Sequence, residues 1–157
     1  MSQLTLALLV VACGGIVTDG SLLELADMIN DVTGKDAVLE YSLYGCYCGW
    51  GGKGRPKDQT DWCCQRHDCC YGQLDDQGCE TKIEEYTYTY RSGKVTCCDS
   101  PSQWESMMKT GAWCQRQTCE CDKKFVQCLK KHLKTYQHAY NFYLKDSCSG
   151  LNPQCQS

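Results

Sequence analysis

Residues 44–71 read YGCYCGWGGKGRPKDQTDWCCQRHDCCY, and the two halves of that stretch call for different backbones. Five glycines, Gly45, Gly49, Gly51, Gly52 and Gly54, crowd the first half, so it is neither an ordinary helix nor a strand. Glycine allows backbone angles that other residues avoid, and this lets main-chain carbonyls converge. A hard cation such as calcium takes several oxygen ligands at once. The alternating acidic pattern of an EF-hand is absent, and no GKS or GKT follows to make a phosphate loop. A metal here must be held by main-chain oxygens and one remote carboxylate.

The second half predicts a helix over 58–74, with Asp58 or Thr60 as its cap, carrying the single pair His67–Asp68. A further long helix is predicted from about 115 to 143. Cys63 and Cys70 stand seven residues apart, and so do Cys121 and Cys128. Seven residues make about two helical turns, so each pair shares a face. Joining Cys63 to Cys128 and Cys70 to Cys121 would rivet the two helices antiparallel, one of several connectivities the cysteine count allows. In that arrangement His67 lies between the rivets and faces Asp122. Asp68 points about 100° away around its helix and is left to reach the glycine loop. Tyr71, four residues on, sits over His67. An isolated histidine between helices most often serves packing, but a histidine with two carboxylates and a glycine loop describes a base beside a metal.

Outward from this centre, 21–32 places Leu22, Leu25, Ile29 and Val32 at helical spacing, and Gly34 stops the run. The apolar edge of this helix serves either core packing or a lipid slot. YTYTYRSGKVT (86–96) alternates and turns at Ser92-Gly93, which predicts a β-hairpin. A loop over 99–113 holds Trp104, Met107, Met108 and Trp113, and either touches membrane or covers the hairpin. Asn152-Pro153 opens a non-helical tail.

The 157 residues suit one domain, and 16 Cys place it in an oxidising compartment. A net charge of -3 argues against a nucleic-acid partner. Residues 1–20, with an apolar run over 4–12, are expected to be a signal peptide, leaving a mature domain over 21–157 that is secreted. Removing Cys13 leaves an odd number of cysteines, which implies a free thiol or an intermolecular bridge. His132, His138 and the surrounding lysines of the last helix are expected to form a solvated face.

YGCYCGWGG (44–52), CCQRHDCCY (63–71) and CECD (119–122) together resemble the secreted phospholipases A2, of the group II-like branch. The resemblance covers the chain from Ser21 onward. It implies a mainly α fold: an N-terminal helix, a calcium loop, a small β-wing and two long antiparallel helices joined by disulfides. It implies calcium bound by the carbonyls of Tyr47, Gly49 and Gly51 and the carboxylate of Asp68. His67 would be the general base, Asp122 its orienting carboxylate, and Tyr71 and Tyr86 supporting phenols. The reaction implied is hydrolysis of the sn-2 ester of glycerophospholipids at a membrane surface. The pairings implied are Cys46 with Cys148, Cys48 with Cys64, Cys63 with Cys128, Cys69 with Cys155, Cys70 with Cys121, Cys79 with Cys114 and Cys97 with Cys119. Cys98 is left over, an intermolecular disulfide site on an otherwise monomeric chain. Trp50, with Leu22 and Leu23 beside it, is expected to meet the lipid–water boundary. The competing expectation is a non-catalytic relative acting as receptor ligand or membrane-binding module.

Overall fold

Apolar side chains at positions 25, 28, 29 and 32 fall on one stripe of helix α1, Ser21–Thr33, and all four are buried. The computed structural model describes residues 21–98 and 111–156. Gly34, at φ 73°, ends α1 with its N–H bonded to Asn30 O at 2.9 Å. Met28, fully buried, joins the stripe, while Leu22, at the first turn, is half exposed. A short helix α2, Ala37–Tyr41, follows, unforeseen in the sequence; the Asp36 carboxylate caps it by accepting Leu39 N–H at 2.9 Å.

Helix α3, Gln59–Asp76, is capped by Asp58, which accepts the Asp61 amide. Helix α4, Ala112–Lys131, runs antiparallel to it, because Cys63 joins Cys128 and Cys70 joins Cys121, with Cα separations of 5.7 and 5.8 Å. The other five expected bridges are also present. Each such cross-link removes freedom from the unfolded chain and is typically worth about 2–4 kcal/mol. Cys98, expected to be left over as an intermolecular site, is instead disulfide-bonded within this chain.

The last long helix stops at Lys131, well short of Tyr143. Beyond it the chain breaks into the 3-10 turns Leu133–Thr135, His138–Tyr140 and Lys145–Ser147. Tertiary bonds replace helical ones there: Gln137 N–H donates to the Tyr44 oxygen, Gly45 N–H to Tyr140 O, and Tyr143 N–H to Leu43 O. The Tyr136 ring packs on Tyr44 at 4.6 Å between centroids.

Strands β1, Tyr88–Arg91, and β2, Lys94–Cys97, pair antiparallel with Arg91 opposite Lys94. Ser92 and Gly93 both take positive φ, 52° and 77°, as a two-residue hairpin turn of the primed type requires. The expected signal segment 1–20 and residues 99–110 lie outside the described residues. Trp113, placed with that loop in the sequence, belongs to the first turn of α4 and packs on the cluster of Tyr71, Leu74 and Cys79.

Candidate active site

His67 and Asp122 come from facing positions of α3 and α4, and the two disulfides that flank them set the distance. The His67 ring nitrogen Nε2 lies 2.6 Å from Asp122 Oδ1. Tyr71 donates its hydroxyl to the same oxygen at 2.6 Å, and Tyr86 donates to Asp122 Oδ2. Asp122 is fully buried. Burial, and then the negative charge of Asp122, push both phenols far above their ordinary pKa, so they stay protonated and donate. An ionised carboxylate only accepts, so the network assigns the imidazole proton to Nε2 and leaves Nδ1 as the basic nitrogen. The ring is held flat by Phe125, stacked at 4.3 Å, with Tyr71 at 4.2 Å on it.

The opposite wall of the site is the glycine loop. Gly49, at φ 96°, passes so close to Ser42 that a Cβ there would stand 1.8 Å from its carbonyl oxygen, so no other residue fits. Asp61, fully buried at the start of α3, anchors the loop. Its carboxylate accepts the amides of Cys46, Tyr47 and Lys57, each at 2.8 Å. Replacing Asp61 with Asn removes one acceptor oxygen and turns an amide NH₂ toward those N–H groups. The expected cost is about 3 kcal/mol, since hydrogen bonds to buried charges are worth more than neutral ones. Denaturant unfolding with disulfides intact measures it, and an Asn variant within about 0.5 kcal/mol of the parent would refute the assignment.

Asp68 opens onto the same space and makes no hydrogen bond among the described residues. Desolvation pushes its carboxyl up to about 7, while the positive charges of His67, Lys145 and Lys82 pull the other way. The carbonyl oxygens of Tyr47, Gly49 and Gly51 likewise accept no hydrogen bond among the described residues, as is also true of Cys46, Trp50 and Gly52, whereas those of Gly45, Cys48 and Gly54 do. Three unpaired carbonyls and one unpaired carboxylate are an all-oxygen donor set, which fits a hard divalent cation.

Tyr47, Gly49, Gly51, His67, Asp68, Tyr71 and Phe125 all line one cleft of about 880 Å³. Leu22, Leu25 and Ile29 of α1 supply an apolar wall. At the rim Trp50 is 82% exposed and Leu22 50%, whereas Leu23, 52% exposed, does not line the cleft. Of the residues singled out in the sequence, Tyr86 alone meets the site from behind, through Asp122. Asp61, Phe125, Lys82 and Lys145 were missed. Phe125 had a signal, three residues after Asp122 on one helix face. Lys82, whose ammonium lies 4.9 Å from the centre of the Trp50 ring, had none.

The phospholipase A2 family model matches residues 22–141. The human protein named group IID secretory phospholipase A2 is 46% identical over 147 residues, 94% of this chain and 94% of that one. Human phospholipase A2 group V is 44% identical, covering 88% and 92% of the two chains. The rat protein named phospholipase A2, membrane associated, is 43% identical over 97% of each. With a family model spanning most of its length and relatives aligned almost end to end, this chain belongs to the phospholipase A2 family.

Proposed function

We propose that the protein is a secreted, calcium-dependent enzyme that hydrolyses the sn-2 ester of glycerophospholipids at a membrane surface, releasing a fatty acid and a lysophospholipid. One observation carries this reading: a histidine with a buried orienting carboxylate shares a cleft with an unpaired set of four oxygen donors. The carbonyls of Tyr47, Gly49 and Gly51 and the carboxylate of Asp68 would hold the calcium ion, which supplies a Lewis acid to polarise the ester carbonyl. His67 Nδ1 takes a proton from the attacking water while a bond forms from water oxygen to the ester carbon. Asp122 holds the imidazole in the required tautomer and stabilises its cationic form. The Gly49 amide would donate to the oxyanion. When the carbon–oxygen bond to the glycerol breaks, the imidazolium returns its proton to the departing alkoxide. No nucleophilic Ser or Cys is required. A complete set of His67, Asp68 and Asp122 favours turnover over the non-catalytic alternative.

Fatty-acid release from phospholipid vesicles, measured with calcium and then with chelator, tests the reading. Release that persists in chelator rejects calcium dependence, and none under either condition rejects the enzyme. Lys82, beside Trp50 at the rim, offers a cation to the lipid phosphate. Trp50→Ala is expected to weaken partition to zwitterionic vesicles about tenfold, a loss of about 1.4 kcal/mol, through removal of an exposed indole. Co-sedimentation reads this directly, and unchanged partition removes Trp50 from the interface.

A further inference from the structure

We propose that Lys145 is a built-in cation that holds the glycine loop in its metal-binding shape and thereby sets the calcium affinity; this rests on the calcium reading above. Lys145 lies far along the chain from the loop, in the 3-10 turn Lys145–Ser147. Cys148, three residues on, is bonded to Cys46 with the Cα atoms 5.9 Å apart, which fixes the turn against the loop. The Lys145 ammonium donates to the carbonyl oxygens of Gly45 and Cys48, both at 2.9 Å. Lysine seldom gives up water, and a partly buried ammonium is compensated here by these two charge-assisted bonds and by the nearby Asp61 and Asp68 carboxylates.

The two oxygens flank Tyr47 in sequence, and what they accept decides where the remaining ones are free. Asp61 gathers the amides of Cys46 and Tyr47 on one side of the loop. Lys145 gathers carbonyls on the other. An anion and a cation thus sort the loop's donors from its acceptors, and the carbonyls of Tyr47, Gly49 and Gly51 are left unpaired. Without the ammonium, a glycine-rich backbone with several positive φ angles is free to turn its carbonyls elsewhere. Calcium would then have to order the loop as well as bind it, and affinity falls by that amount. The ammonium also repels a second cation, so the two effects have opposite signs. The Asp61 and Asp68 carboxylates already offset that positive charge, whereas nothing replaces the two direct bonds. Preorganisation therefore dominates.

The experiment compares the intact chain with K145M and K145R, titrating calcium against intrinsic tryptophan fluorescence and by calorimetry, and measuring lipid hydrolysis at each calcium concentration. K145M is expected to bind calcium about tenfold more weakly, the size of effect that loss of charged hydrogen bonds produces. Its half-saturating calcium for hydrolysis rises by the same factor, and activity recovers as calcium is raised. K145R keeps the cation and is expected within about threefold of the parent. Amide hydrogen exchange over 46–52 in calcium-free protein should quicken in K145M and not in K145R. Equal or tighter calcium binding by K145M, or unchanged exchange, overturns the proposal. If the parent chain itself binds no calcium, the calcium reading fails instead, and the two failures are told apart.

Discussion

His67→Gln is expected to lower kcat by about 10²–10⁴-fold or more, while calcium binding stays within about twofold of the parent. The glutamine amide can donate to Asp122 Oδ1 in place of Nε2, so the buried carboxylate keeps its third partner beside the two phenols. That substitution leaves the seam between α3 and α4 satisfied but removes the only basic nitrogen. Stability should therefore fall by less than about 1.5 kcal/mol, unlike a change that strands Asp122 as an unpaired buried charge. Vesicle hydrolysis gives kcat, and calorimetry gives the calcium affinity. A Gln variant that turns over at the parent rate would remove His67 from the chemistry. One that loses calcium binding would place it in the metal site instead.

Asp68→Lys is expected to remove both calcium binding and turnover. Asp68 supplies the only formal anion of the four-donor set, and the other three donors are main-chain carbonyls. Replacing it with an ammonium puts a positive charge where the ion would sit, so affinity should drop by about a hundredfold or more. Because the Asp68 carboxylate makes no hydrogen bond among the described residues, folding should survive. The milder Asp68→Asn separates charge from shape and has its own pH signature. The carboxyl is pushed up to about 7 by desolvation in the calcium-free protein, above its ordinary range. A raised acid pKa means the unfolded state ionises first, so the native state is penalised progressively as pH rises from the ordinary carboxylate range to about 7, and fully above that. The Asn variant should therefore be more stable than the parent at pH 8 without calcium, and equal to it near pH 3. Thermal unfolding at the two pH values checks this. Asp68→Asn less stable than the parent at pH 8 would contradict it.

How much of this could be read along the chain follows from the range of the forces involved. Local rules account for α1, the Asp58 cap, the primed turn at Ser92-Gly93 and the sevenfold cysteine spacing. Each depends on residues within two turns of one another. Once Cys63 is joined to Cys128 and Cys70 to Cys121, a pairing the spacing allows and the fold shows, the two rivets place His67 opposite Asp122. The glycines announce a loop with converging carbonyls for the same reason, because backbone freedom is a property of the residue itself.

The remainder needed the folded chain. The last helix ends at Lys131 because Tyr44 and Gly45 offer hydrogen bonds to residues beyond it, and no periodicity within 115–143 records that competition. Spacing put Leu22 on the apolar stripe of α1 and left core packing and a lipid slot both open; only the fold, where Leu22 is half exposed and lines the cleft, decides for the slot. Asp61 and Lys145 look like ordinary charged residues until the loop folds between them. Burial turns them into its anchors, since an ion that leaves water must find partners, and here those partners are the amides and carbonyls that shape the site.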